Sequence, residues 1–253
     1  MYKDELNAVC NASISKSNLI NNNILGYFVS SMLAGIYVGL GILLIFSIGG
    51  LLGDFKGTKI IMGVSFGIAL SSVIIAGAEL FTGNNLIMTV GVLNKKISFT
   101  NLIKVWIVSY IGNLIGAVLV SVLFYLTGLA SGDIGSFIAN TSLTKMTLSP
   151  KALLFRGILC NTLVCLAVWC SFRCKSDSGK LIMIFWCLFA FITSGYEHSI
   201  ANMTIMAVGL LTNSEPNITI YGYFYNLLFV TIGNIIGGVF LIALPYHIIA
   251  KIK

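Results

Sequence analysis

The sequence predicts an all-α membrane protein of six transmembrane helices in two inverted three-helix repeats, with the second and fifth helices broken. Three observations predict it. Charged residues make up 9% of the 253 residues and hydrophobic ones 57%, whereas a soluble domain carries about 25% charged residues. Apolar runs longer than the roughly 20 residues that span a bilayer recur along the chain. Strings from the first half return in the second at a spacing of about 120 residues, roughly half the chain, as in membrane folds built from internal repeats.

The elements follow in order. Residues 1–23 are polar, with Leu6, Val9, Cys10, Ile14 and Ile20 interspersed, and read as an amphipathic segment lying on the cytoplasmic interface. Residues 24–253 read as one membrane domain, with repeats at about 24–130 and 151–250. The first span runs from Ile24 to Leu52 and contains Gly35-Ile36. The second, Ile60 to Leu93, holds Gly77-Ala78-Glu79-Leu80-Phe81-Thr82-Gly83-Asn84. The third, Val105 to Leu129, holds Ile111-Gly112-Asn113-Leu114-Ile115-Gly116. A polar connection from Ser131 to Pro150 joins the halves. The fourth span, Ala152 to Phe172, contains Gly157-Ile158, read as the echo of Gly35-Ile36. The fifth, Leu181 to Leu211, holds Gly195-Tyr196-Glu197-His198-Ser199-Ile200-Ala201-Asn202. The sixth, Ile218 to Ile249, holds Ile232-Gly233-Asn234-Ile235-Ile236-Gly237. Three spans per repeat is an odd number, so the second copy sits upside down. The first apolar run starts late and is too long for the core of a cleavable signal peptide.

The formal charge of +7 forms no patch for nucleic acid; the basic residues flank the spans. Lys3, Lys16, Lys95, Lys96, Lys104, Arg173, Lys175, Lys180, Lys251 and Lys253 fall on one side if both termini share it. Lys56, Lys59, Lys145, Lys151 and Arg156 fall on the other. The excess places both termini in the cytoplasm of a multi-pass protein of the cytoplasmic (inner) membrane. Of the six cysteines, Cys160, Cys165 and Cys170 recur every five residues. That spacing puts them on different helix faces and makes no metal site, so they read as packing residues. No metal or cofactor is expected.

Both halves read Gly-x-Glu-x-x-x-x-Asn at a point where a membrane helix should be featureless. Paired Gly-containing polar breaks mark a substrate path near the bilayer midplane. Unwound backbone there survives only where protein or a wet cavity satisfies it. Glu79 and Glu197 are expected to hold the two breaks by accepting several backbone N–H bonds; the alternative is that they carry protons. Asn84 and Asn202 belong to the same scaffold. The copies differ in Leu80 and Thr82 on one side and His198 on the other. A hydroxyl and an imidazole facing each other suit a small ion, and an ionisable group at membrane depth is a functional candidate. Half-helix N-termini aimed at the midplane favour an anion. Lys145 and Lys151 would concentrate anions nearby. Gly112 and Gly116, repeated at Gly233 and Gly237, allow close helix packing.

The strings GAELFTGNN and GYEHSIANM, with RGILCNTLVCLAVW before the second, resemble the formate–nitrite transporter family over nearly the whole chain, and most closely its hydrosulfide channel branch. The resemblance implies an aquaporin-like fold and a homopentamer with one pore per protomer. It also implies that Thr82 and His198 are the central pore pair. Phe66, Leu70, Leu80 and Phe191 would form apolar constrictions, Asn161 would line the pore, and Lys145 would sit in a vestibule. Arg156 stands where the family pattern leads one to expect an uncharged residue, and the N-terminal segment is short for a gate.

The function expected is a channel for small monovalent weak-acid anions: hydrosulfide first, with formate and nitrite possible. An anion passing the apolar rings as a naked charge is costly, and taking a proton from His198 would lower that cost. The alternative is a proton-coupled secondary transporter of formate or nitrite. A neutral-solute pore is disfavoured because neither break contains the Asn-Pro-Ala string. An enzyme is disfavoured because no nucleophile–base pair or phosphate loop is present.

Overall fold

The structure is a computed structural model, and it describes residues 2–212 and 216–250. Lys251 and Lys253, counted above among the cytoplasmic charges, lie outside the described residues. Every regular element among the described residues is helical. The order is α1 (Lys3–Asn22), α2 (Ile24–Leu52), α3 (Thr58–Ser65), α4 (Ile68–Ala76), α5 (Phe81–Leu93), α6 (Phe99–Leu126), α7 (Gly132–Thr147), α8 (Pro150–Arg173), α9 (Asp177–Thr193), α10 (Ser199–Thr212) and α11 (Ile220–Ile236). A π-helical segment, Gly237–Ala243, leads into α12 (Leu244–Ala250).

Five helical stretches are long and apolar enough to cross a membrane: Ile24–Leu52, Thr58–Ala76, Phe99–Leu126, Pro150–Arg173 and Ile220–Ala250. They make this a multi-pass membrane protein. Polar caps mark where they begin. Asn23 Oδ1 accepts from Gly26 N at 2.8 Å, and Ser149 Oγ from Ala152 N at 3.3 Å, each satisfying an amide that the helix itself leaves unpaired. The second and fifth predicted spans are each interrupted, giving α3–α4 then α5, and α9 then α10. The last span is not a uniform α-helix. Pro245 has no N–H to return to Leu241, and Gly237-Gly238 resist wider winding little, so the backbone passes through π geometry there.

One expectation changes. The polar connection from Ser131 to Pro150 is largely helix α7, because Ile138, Ala139, Ser142 and Met146 share a face that is buried against α10, α2 and α11. The N-terminal segment forms helix α1, with one face packed on the rest of the chain. Leu6, Val9, Cys10, Ser13, Ser17 and Ile20 are buried, chiefly against α5.

The glycines of the third and sixth spans do allow close approach. A Cβ on Gly116 would stand 2.0 Å from the Met32 carbonyl oxygen, and one on Gly237 would stand 2.2 Å from that of Ile158. These contacts fix the repeat register. Met32 corresponds to Ile158, and therefore Ser31 corresponds to Gly157. The sequence match of Gly35-Ile36 with Gly157-Ile158 is thus displaced by four residues, about one helical turn. Glycine identity misled it, because backbone carbonyls and not side chains make the repeated contact.

Candidate functional site

Each break begins at a glycine in the left-handed half of backbone space, Gly77 at φ 79° and Gly195 at φ 72°, where residues with a Cβ are strained. The backbone then makes the same bonds in both copies. Ala78 N donates to Val73 O and Tyr196 N to Phe191 O, each at 3.0 Å. Glu79 N donates to Ser30 O at 3.2 Å and Glu197 N to Arg156 O at 3.3 Å.

An asparagine from the neighbouring helix clamps each break. Asn113 Oδ1 accepts from Phe81 N at 2.9 Å, the first amide of α5. Its Nδ2 donates to Ser31 O at 2.7 Å and Glu79 O at 2.9 Å. Asn234 repeats this, accepting from Ser199 N at 2.9 Å and donating to Gly157 O at 2.8 Å and Glu197 O at 3.0 Å. The two backbone groups that the break would orphan, one amide and one carbonyl, are thereby satisfied at each site, and the third bond ties the asparagine to a carbonyl of α2 or α8. Both asparagines sit in the Ile-Gly-Asn-x-Ile-Gly strings, where the glycines alone draw attention as packing residues.

The glutamates do not hold backbone amides, contrary to expectation; their bonds go to side chains. Glu79 accepts from Lys16 Nζ at 2.6 and 2.7 Å, from Tyr27 Oη at 2.7 Å and from Asn84 Nδ2 at 3.2 Å. Glu197 accepts from Lys145 Nζ at 2.9 Å on both oxygens and from Asn202 Nδ2 at 2.6 Å. The backbone amides are taken by Asn113, Asn234 and the carbonyls of α2 and α8, leaving the carboxylates to neutralise cations. Lys16 comes from α1 and Lys145 from α7. A fainter repeat in the sequence underlies this: Asn11-Ala12-Ser13-Ile14-Ser15-Lys16 matches Asn140-Thr141-Ser142-Leu143-Thr144-Lys145. Ser13 sits against Gly91 and Ser142 against Gly209, so close that a Cβ on either glycine would collide with the serine. The duplication therefore includes the helices that precede the spans.

Thr82 and His198 meet. Thr82 Oγ1 lies 3.0 Å from His198 Nε2, and both residues are buried. His198 Nδ1 accepts from Ala201 N at 3.1 Å, capping α10. An imidazole nitrogen that accepts carries no proton, so the neutral ring bears its proton on Nε2 and donates it to Thr82 Oγ1. Protonating Nδ1 would sacrifice the cap. Asn161 faces inward rather than into open space. Its Nδ2 reaches Asn234 O at 2.7 Å, Asn85 Oδ1 at 2.9 Å and Thr82 O at 3.3 Å, tying the two copies together. Cys165 Sγ also donates to Thr82 O at 3.3 Å, a packing role like that expected of the cysteines.

Three cavities lie in series. One of about 480 Å³ is lined by Lys16, Ser30, Leu70, Glu79, Leu80 and Asn84, among others. One of about 190 Å³ is lined by Lys59, Lys145, Arg156, Phe191, Glu197 and His198, among others. Between them lies a void of about 10 Å³, lined by Val38, Phe66, Ala69, Leu70, Leu80, Val164, Leu188, Phe191 and His198. It shares Leu70 and Leu80 with the first cavity and Phe191 and His198 with the second. Phe66, Leu70, Leu80 and Phe191, the four residues expected to form apolar constrictions, all line this void, with Phe66 and Phe191 in edge-to-face contact at 5.5 Å. Its volume is that of a single water at most. Thr82 lines none of the three and touches them only through His198. In the repeat register, His198 occupies the place of Leu80: Asn202 N donates to His198 O at 2.9 Å as Asn84 N does to Leu80 O at 3.0 Å.

Residues 3–248 match the family model described as formate/nitrite transporter. The chain belongs to the formate/nitrite transporter family. The nitrite transporter NirC of Escherichia coli is 43% identical over 97% of this chain and 91% of its own length. A solved structure described as an FNT family ion channel superposes with a TM-score of 0.94 at 41% identity, covering 98% of this chain and 99% of that one. A pentameric formate channel solved with formate bound gives 0.78 at 28% identity over 88% and 96%. Within a formate/nitrite transporter chain the duplicated clamps, the lysine–glutamate pairs and the single imidazole form one connected site. Family membership makes this a transport protein, the class the sequence pointed to ahead of an enzyme.

Proposed function

We propose that the chain is a channel for small monovalent anions of weak acids, with the three cavities as its pathway. One observation carries this: His198 is the one lining residue with a side-chain N–H donor at an otherwise hydrocarbon constriction between two wider, charged cavities, and its Nε2 is held by Thr82 Oγ1. A passing anion meets the His198 donor where every other lining side chain is hydrocarbon. It can take the Nε2–H bond in place of Thr82 Oγ1, while the Ala201 N–H bond to Nδ1 keeps the ring in register. Because Nδ1 is committed to Ala201, His198 serves first as a hydrogen-bond donor. Giving up its Nε2 proton requires Nδ1 to take another and release α10. This refines the simple proton donation expected from the sequence. The apolar rings favour substrates able to cross as neutral acids, which strong-acid anions such as chloride cannot do.

Nitrite and formate enter this reading through the relatives' names, and hydrosulfide through the branch resemblance; the site accommodates all three. In the same reading the two copies are inverted about the midplane and the protein assembles as a homopentamer in the inner membrane. Both termini lie in the cytoplasm, with the Lys16 cavity facing inward and the Lys145 cavity outward. Purified protein in liposomes should pass nitrite, formate and hydrosulfide faster than chloride at a fixed pH. Equal chloride flux would remove the reading. Reversal potentials that follow the anion gradient, unmoved by the proton gradient, separate a channel from a proton-coupled transporter.

A further inference from the structure

The two cavities are built from equivalent positions, which makes their differences legible. Val73, Gly77, Glu79, Leu80 and Asn84 line one; Phe191, Gly195, Glu197, His198 and Asn202 line the other. Lys16 and Lys145 are equivalent as well, and each is spent on its glutamate. The inner cavity therefore carries one cation and one carboxylate. The outer cavity carries that pair and also Lys59 and Arg156. Neither of these has an acidic partner among the described residues.

Arg156 has an identifiable counterpart. Its carbonyl accepts from Glu197 N just as the Ser30 carbonyl accepts from Glu79 N, and Ser30 lines the inner cavity as Arg156 lines the outer. The same backbone site thus presents a hydroxymethyl group inside and a guanidinium outside. The helix-to-break hydrogen bond anchors that arginine one residue from His198. We propose that Arg156 makes the outer cavity a capture site selective for planar two-oxygen anions, such as nitrite and formate, over single-centre anions such as hydrosulfide. A guanidinium offers two parallel N–H donors that match two oxygens of one anion. It cannot grip a lone sulfur or halide in that way. Lys59 adds charge without shape and raises the local concentration of every anion alike.

The proposal rests on the anion-channel reading, and its test keeps the two apart. Influx into liposomes is measured as a function of concentration for nitrite, formate and hydrosulfide, in wild type, Arg156→Lys, Arg156→Ser and Lys59→Gln. If the wild type passes none of the three, the channel reading fails. If it conducts, Arg156→Lys should raise the half-saturation concentration for nitrite and formate about 2- to 5-fold, the range for exposed ionic contacts, and leave that for hydrosulfide unchanged. Arg156→Ser should show the same selective rise plus a smaller one for hydrosulfide. Lys59→Gln should shift all three together, and less so at high salt. No shift in Arg156→Lys, or an equal shift for all three anions, overturns the proposal. Arg156 is exposed, so loss of folding is not the expected outcome, and an unchanged melting temperature in detergent confirms that the variants are comparable.

Discussion

At the scale of single residues, Asn113 and Asn234 carry more structure than their size suggests. Each clamp bonds one amide and two carbonyls, and alanine in its place leaves the amide and the carbonyl of the break unpartnered in a buried setting, while the other carbonyl keeps its bond within α2 or α8. Each orphaned group costs about 1–3 kcal/mol, so Asn234→Ala should destabilise by about 2 kcal/mol or more. Thermal unfolding in detergent reads this, and the same loss is expected for Asn113→Ala. A variant that melts like wild type would mean that the breaks are held by other bonds. Thr82 illustrates a different dependence. Its hydroxyl receives the Nε2–H of His198 and touches no cavity, so Thr82→Val should alter conduction by letting the imidazole turn. Thr82→Ser, which keeps the hydroxyl, should restore flux, as anion efflux measurements would show.

At the scale of elements, α1 and α7 belong to the repeat and act alike. Each delivers one lysine to the glutamate of a break, with side chains 16% and 12% exposed for Lys16 and Glu79, and 16% and 4% for Lys145 and Glu197. Removing one partner of so buried a pair leaves an uncompensated charge, worth about 3–5 kcal/mol. Lys16→Met should therefore lower thermal stability sharply, and Lys16→Met with Glu79→Gln should recover most of it. Failure of the double variant to recover would show that the lysine acts through packing alone. The sequence marks these helices only faintly. Periodic apolar residues such as Ile138 and Met146 are diluted by Thr141, Thr144 and Thr147, so α7 reads as a loop. The lysine–glutamate partners are separated by 63 and 52 positions, which no local pattern exposes. The breaks themselves were legible, because a glycine and a carboxylate are both costly inside a continuous apolar helix. Their bonding was not: which donor reaches Glu79 depends on where α1 folds back.

At the scale of the whole molecule, the duplication builds the frame and its departures build the site. His198 stands in the register of Leu80 and Arg156 in that of Ser30. One exchange puts an imidazole at the smallest void; the other adds a guanidinium to one of the two wider cavities. Topology is checked by labelling in intact cells. A cysteine at Ser136 should react with an impermeant maleimide from outside and one at Ser178 should not, in a background lacking native cysteines. The reverse pattern would invert the chain in the membrane. Spans and breaks were visible in the sequence because they repeat or interrupt hydrophobicity, as was the pairing of Thr82 with His198. The register of α2 against α8 was not, since carbonyl contacts at Met32 and Ile158 leave no side-chain signature. The central claim is that one N–H donor at an apolar constriction carries the anion across. It is tested most directly by nitrite, formate and hydrosulfide flux through His198→Phe in liposomes. Loss of a hydrogen bond to a charged group is worth about 1.5–3 kcal/mol, so flux of all three anions should fall about 10- to 100-fold while the protein stays folded. Undiminished flux with unchanged selectivity would contradict the account.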